Sequence, residues 1–230
     1  MMQSLQEIVA RADELYAARE RIENVRAAFE LLQGADAVDN FETAWRTGRC
    51  CFFLGQEAQS VGDSRAFHAT GARVCARAAQ MEALRVEGHF WLGVNLALLA
   101  QLENPLSALK IAWRARRALA CAVHIDAAYH AAGPLRVLAR LQHKLPRFLG
   151  GGSTRARANF EKAIYLAPTN TVTRIYFAEM LLEQNELERA RRELEAIINA
   201  PHDPAWAFEA TRDKLLAREM MKKIKGKSER

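Results

Sequence analysis

The sequence has little of what builds sheets, metal cages or membrane spans. Proline is scarce, 6 in 230 residues, and no run of alternating β-branched residues is long enough to read as a strand, which argues against a sheet-based fold. No apolar stretch has the length of a bilayer crossing. The start, Met1-Met2-Gln-Ser-Leu-Gln-Glu7, lacks the basic-then-apolar order of a signal peptide, so the expectation is a soluble cytoplasmic chain. Cysteine is also sparse. Cys50, Cys51, Cys75 and Cys121 show no CxxC spacing and read as small core residues of helices. His68, His89, His124, His130, His143 and His202 form no HExxH or other close pair, so no metal and no cofactor is expected. The run Gly150-Gly-Gly-Ser-Thr154 lacks the lysine of a phosphate loop and follows a helix where that loop would follow a strand. It reads as a break between helices. No acid/base pair is evident, and the chain is not expected to be an enzyme.

What the sequence has in quantity is a repeated helical template. Half of the residues are hydrophobic, and Ala, Leu, Arg and Glu dominate. Near the end, Ala156, Phe160, Ala163 and Pro168 are followed by Ala190, Leu194, Ile197 and Pro201 in the same steps, a period of about 34 residues. Phe177-Ala178 and Leu181 precede the second copy. The stretch from Ala178 to Ala190 leaves room for a helix end, a turn and a new start. This is the tetratricopeptide (TPR) pattern, a pair of antiparallel helices that cannot bury its own face and must stack on neighbours. Ala115, Leu119 and Ala122 repeat the step. Ala72, Ala76 and Ala79 do so again, as do Val25, Phe29 and Leu32 after Ala12. Small residues at Gly48, Gly93, Ala139 and Ala178 let helix backbones approach closely.

The predicted fold is therefore all-α, a TPR-like α-solenoid of stacked antiparallel helix pairs with about ten helices. It forms a single array over residues 1–221. The pairs are expected near 8–34, 38–84, 87–127, 132–168 and 171–201, with a C-terminal helix over 204–224. Ser153 is expected to cap a helix starting at Thr154, Asn170 to open the next, Asn185-Glu186 to mark a turn, and Pro201 and Pro204 to precede the last helix. The net charge of +6 is concentrated at the end, where eight basic residues from Arg212 to Arg230 face Asp213, Glu219 and Glu229. Residues 222–230 read as a solvated basic tail that frays. They lack the interleaved aromatics of a nucleic-acid surface, and no nucleic-acid partner is expected.

In a TPR pair the first helix lines the concave side. Aligning Gly48, Gly93, Ala139 and Ala178 places Trp45, Arg49, Phe52, Phe53, Phe90, Val94 and Leu98 there as an aromatic and apolar half. Arg136, Arg140, His143 and Lys144 form a cationic half, followed by Ile175, Glu179 and Leu182. Such a surface suits an extended peptide, a partner helix, or an amphipathic acid whose carboxylate meets Arg136 or Arg140. The final helix could cap the stack or join two copies in a homo-oligomer.

Several blocks resemble a known family. Gly88-His-Phe-Trp-Leu-Gly-Val-Asn-Leu-Ala97, Ala132-Gly-Pro-Leu-Arg-Val-Leu-Ala139, Leu145-Pro146 with Gly150-Gly-Gly152, and Ala158-Asn-Phe-Glu-Lys-Ala163 are similar to the T-component of TRAP transporters. The similarity runs over roughly residues 10 to 215, with a fainter one to the regulator of microtubule dynamics proteins. The resemblance implies a bacterial TPR-like scaffold that associates with a solute-binding protein in the periplasm. It also implies an apolar cavity through the helical fold, which would suit the small apolar acid read from the concave surface. Members are usually lipoproteins. No lipobox cysteine is evident here, so a periplasmic lipoprotein is the alternative location for a truncated or processed chain. The alternative function is a cytoplasmic TPR adaptor for an extended peptide or partner helix.

Overall fold

Five helix starts in this chain are set by a small polar residue that accepts one of the unpaired amides of the first turn. Ser4 and Glu7 make a reciprocal capping box at the start of α1 (Leu5–Ala17). Asn40 caps α3 (Phe41–Gln56) and Ser60 caps α4 (Val61–Met81). Asn104, followed by Pro105 in the first turn, caps α6 (Pro105–Ile125), and Asn170 caps α9 (Thr171–Glu183). The other helices are α2 (Ile22–Leu32), α5 (Val86–Gln101), α7 (Tyr129–Lys144), α8 (Ser153–Leu166), α10 (Leu187–Ile198) and α11 (Ala207–Ser228). The structure, a computed structural model, describes residues 4–34 and 40–228. The expected start of the second pair at Val38 and the last two residues of the basic tail lie outside them. Among the described residues there is no strand. The fold is all-α and solenoid-like.

Two local expectations change. Ser153 is the first residue of α8 and does not cap it; Gly152, at φ 127°, occupies the cap position, a conformation that a side chain disfavours. The basic tail is not set apart from the last helix, because α11 runs on to Ser228, with Met220 and Ile224 on its buried side. Asn185, at φ 59°, makes the left-handed turn between α9 and α10.

The chain divides into two compact units, residues 1–126 and 127–230. In the first, each helix packs on the next, and the odd-numbered helices also touch one another, α1 on α3 and α3 on α5. The second repeats this, α7 on α9 and α9 on α11. That alternation is the packing of stacked helix hairpins, whose first helices form a row within each unit. The template residues fill the joints: Ala156, Phe160, Ala163, Ala190, Leu194 and Ile197 are all fully buried, as are Ala115, Leu119 and Ala122. Phe160 stacks on Phe177 with ring centroids 5.4 Å apart. In α4 the register differs from the sequence reading. Cys75 and Ala78 are fully buried and Ala76 is not. The reason is Gly48: a methyl group there would lie 2.0 Å from Cys75 Sγ, so the thiol occupies the space that the glycine leaves. Gly93 likewise admits Leu119, whose Cγ would be 2.6 Å from such a methyl group.

One polar side chain ties three helices of the first unit together. Asn95 of α5 is fully buried, and its Nδ2 donates to Gly48 O of α3 and to Trp91 O, both at 2.9 Å. Its Oδ1 therefore accepts from His68 Nδ1 of α4 at 3.3 Å, which places the ring proton on that nitrogen. Gly71 of α4 gives the amide its room, since a methyl group there would be 2.5 Å from Oδ1. Buried polar groups satisfied in this way specify one packing, and removing a partner leaves the other desolvated.

Two predictions follow from this junction. Asn95→Ala leaves the His68 N–H buried without an acceptor and opens a void, so urea unfolding should show a loss of about 2 kcal/mol or more. Burial pushes the His68 imidazole below its ordinary value, against a smaller pull from the Asn95 hydrogen bond. Stability from a neutral buried histidine is complete above the unfolded value near 6.5 and is lost as pH falls, because the unfolded chain takes up a proton that the folded one resists. Melting temperatures of the native chain should drop more steeply between about pH 7 and about pH 5 than those of His68→Gln, which keeps a donor and does not titrate. Equal slopes would remove His68 from the account.

Candidate functional site

In the first unit the first-helix row is built on a knot of charge and aromatic rings. Glu42, Trp45, Arg46 and Arg49 share one side of α3 through their three- and four-residue spacings. Asp13 of α1 reaches across to them. It accepts from Arg46 Nε at 3.0 Å, Arg46 Nη2 at 2.9 Å and Arg49 Nη2 at 2.6 Å. Arg46 also donates to Glu42 Oε2 at 2.5 Å, and Trp45 Nε1 donates to the same oxygen at 3.1 Å. Arg85 closes the chain on Glu42 Oε1 at 2.5 Å. The guanidinium of Arg49 lies 4.0 Å from the Tyr16 ring centroid, and that of Arg46 lies 4.1 Å from Trp45. Burial pushes the Asp13 carboxyl up, yet its bonds and charge contacts with Arg46 and Arg49 prevail and hold it below its ordinary value. Glu42 is lowered by the same balance, with Arg46, Arg85 and Trp45 outweighing burial.

The aromatic half is mostly packed. Trp45, Phe53, Phe90 and Val94 are buried, while Phe52, Leu98 and Arg49 are partly open. Phe52 lies 5.5 Å from Trp91, which is 4.8 Å from Phe90, so these rings form one internal stack. Phe53 meets Tyr16 at 6.3 Å.

In the second unit the cations of α7 face carboxylates of α9. Arg140 pairs with Glu179 and lies 4.3 Å from the Tyr176 ring centroid. Lys144 Nζ pairs with Glu183 Oε1 at 2.5 Å, and His143 Nε2 is 2.9 Å from Glu183 Oε2. The Lys144 hydrogen bond is the largest influence on Glu183 and lowers its carboxyl, with His143 adding to it. The cationic surface read from the sequence is thus charge-balanced by the next first helix.

Arg136 is placed differently. Its side chain is 4 % exposed, and Nη1 donates to Ala131 O at 2.9 Å and to Asn170 Oδ1 at 3.2 Å. Its guanidinium lies 5.4 Å from the Trp206 ring centroid. Burial pushes Arg136 down to about 10, with Tyr176, Glu209 and Asp213 opposing. Asp213 is itself buried and raised by burial, while Thr171 Oγ1 donates to it at 2.8 Å. The acceptor that Arg136 reaches is unusual. His130, Ala131 and Ala132 are all left-handed, at φ 51°, 52° and 58°, just ahead of Gly133-Pro134. Such a conformation costs roughly 1–2 kcal/mol per residue. The buried guanidinium holds this segment by its carbonyl.

Of the ten residues named from the sequence, the structure groups Arg49 and Phe53 around Tyr16, with Trp45 on Arg49, and Phe52, Phe90 and Val94 along α3 and α5. Arg140 and Lys144 share one face of α7 with their α9 partners; Arg136 belongs to the interior. Asp13, Tyr16, Asn170, Trp206 and Asp213 were not singled out as site residues. The four-residue step from Glu42 to Arg46 was a readable signal, whereas Asp13 lies 33 residues from Arg46 with nothing local to link them. Among the described residues no group of His, Cys, Asp and Glu could hold a metal ion, and no helix is long and apolar enough to cross a membrane.

The sequence model of one protein family, described as TRAP transporter T-component, matches residues 45–224. A solved structure of a thermophilic TPR protein from Thermus thermophilus is similar in fold, with a TM-score of 0.67 at 18% identity over 92% of this chain and 100% of that one. At that identity the likeness speaks for the fold alone. No curated protein matches the sequence.

The buried arginine supplies the test for this region. Arg136→Lys cannot bond both Ala131 O and Asn170 Oδ1 while stacking on Trp206, and Arg136→Met bonds neither. Both should destabilise the protein by about 2 kcal/mol or more in urea. Amide exchange at residues 129–136 should quicken with them; unchanged exchange would show that the left-handed segment holds itself.

Proposed function

The chain belongs to the TRAP transporter T-component family, and on that footing we propose that it is a non-enzymatic scaffold. It holds a protein partner, a solute-binding protein, on the first-helix rows of its units. The observation that carries the reading is the charge-balanced face of α7 and α9. Arg140, Lys144, Glu179 and Glu183 stand partly in solvent with every charge already paired. A bare cationic groove would favour a free anion; a preorganised mixed-charge surface favours a protein that meets both signs and loses little side-chain freedom on docking. In the first unit, Arg49, Phe52 and Leu98 offer the same kind of footing, held by Asp13 and the Trp91 stack.

A small apolar or amphipathic acid is the second ligand of this proposal. Its carboxylate would take Arg140 from Glu179, and its tail would lie on half-buried apolar side chains. The same face also suits an extended peptide, which is the alternative reading of an adaptor without a transport role. Under it, dependence falls on Phe52 and Leu98, since Trp45 and Phe90 are committed to packing.

Titration calorimetry of the purified full chain against a solute-binding protein of a TRAP transporter tests this reading. Binding is expected, with Lys144→Glu weakening it about tenfold. The double swap K144E/E183K restores the internal ion pair with reversed sign and should stay weak. Recovery in the swap would mean that the pair acts only within the fold, and no heat with any such protein would overturn the partner assignment. Native mass spectrometry of the same sample reports a retained acid directly.

A further inference from the structure

Helix α6 carries a surface that the scaffold reading does not use. Its inner side, Ala112, Ala115, Ala118, Leu119 and Ala122, is buried on α5. On its outer side Leu106, Leu109 and Trp113 follow one another at steps of three and four, and Leu106 is 77% exposed and Trp113 42%. Lys110, Arg114 and Arg117 flank them at the same steps and are exposed. From Pro105 to Ile125 there is no Asp or Glu. The Arg117 guanidinium lies 4.8 Å from the Trp113 ring centroid, so the cation and the indole form one amphipathic unit. The second helices of the other unit are different. There Arg189 pairs with Glu161 and Arg191 with Glu195, each at 3.0 Å.

We propose that the outer face of α6 is a peripheral docking surface for an anionic phospholipid bilayer. A complement to this face must be apolar where Leu106, Leu109 and Trp113 stand and negative where the three cations stand. The boundary between acyl chains and anionic headgroups is both, with the indole at headgroup level and the lysine and arginine stems extended to phosphate. Nucleic acid fits less well, because the two leucines present aliphatic surface where a base needs a ring to stack on. Each cation near such a surface is worth about fivefold in binding, so attachment is reversible and salt-sensitive.

Cosedimentation of the full chain with vesicles tests this directly. One set is phosphatidylcholine alone and the other contains roughly 30% phosphatidylglycerol. Binding is expected to the mixed vesicles only, with release as salt rises. L106S/W113S and K110E/R114E, all at exposed positions, should each weaken binding more than tenfold with unchanged far-ultraviolet circular dichroism. K222E/K223E on α11 should bind as the native chain does, which separates α6 from the basic C-terminal helix. No binding, equal binding to neutral vesicles, loss in the α11 variant with both α6 variants intact, or release from vesicles by duplex DNA at equal phosphate would each overturn the proposal.

Discussion

Where α3 crosses α4 and α5, the helix backbones come close because Gly48 and Gly71 have no side chains, and Asn95 converts that proximity into a single register. The rest of the first unit depends on this junction. If α5 slid along α3 by one residue, the Asn95 amide would lose Gly48 O, and His68 would lose its acceptor while both side chains stay buried. Apolar packing alone tolerates small shifts; a satisfied buried amide does not. Phe52, Trp91 and Phe90 then stack because α3 and α5 are held in that register.

In both units the surface chemistry of one first helix is completed by another. Arg46 and Arg49 of α3 are organised by Asp13 of α1, and Arg140 and Lys144 of α7 by Glu179 and Glu183 of α9. The solvent-facing pairs of α7 with α9 contribute little to stability, so their consequence is mainly geometric. They hold long side chains in one geometry, so that little side-chain freedom is left to lose on this face.

The second unit stores strain beside its most buried cation. Three consecutive left-handed residues would not persist in isolation, and the surroundings that hold them converge on Arg136: the Ala131 carbonyl, the Asn170 amide oxygen and the Trp206 ring. The His130 ring also lies 4.8 Å from Trp206, so the turn that leads into α11 closes over the bend from the far end of the unit. The Gly133-Pro134 step that marks the family resemblance follows directly on this bend. Its sequence signal is therefore conformational.

The helices, their small-residue joints and the fully buried template positions Phe160, Leu194, Ile197 and Leu119 were legible in the sequence. Each of these signals is local: a cap, a three- or four-residue step, or a period set by one hairpin. The basic, acid-free composition of α6 was equally local. Tertiary structure decided which charges are balanced, that Arg136 lies inside while Arg140 lies outside on the same helix, that Asn95 joins three helices, and that the apolar stripe of α6 faces water. Such outcomes depend on residues distant in sequence meeting across helix joints, as Asn95 meets His68 and Gly48 at 27 and 47 positions away. Side-chain spacing within a helix determines which face a residue shares, but only packing determines what stands opposite that face.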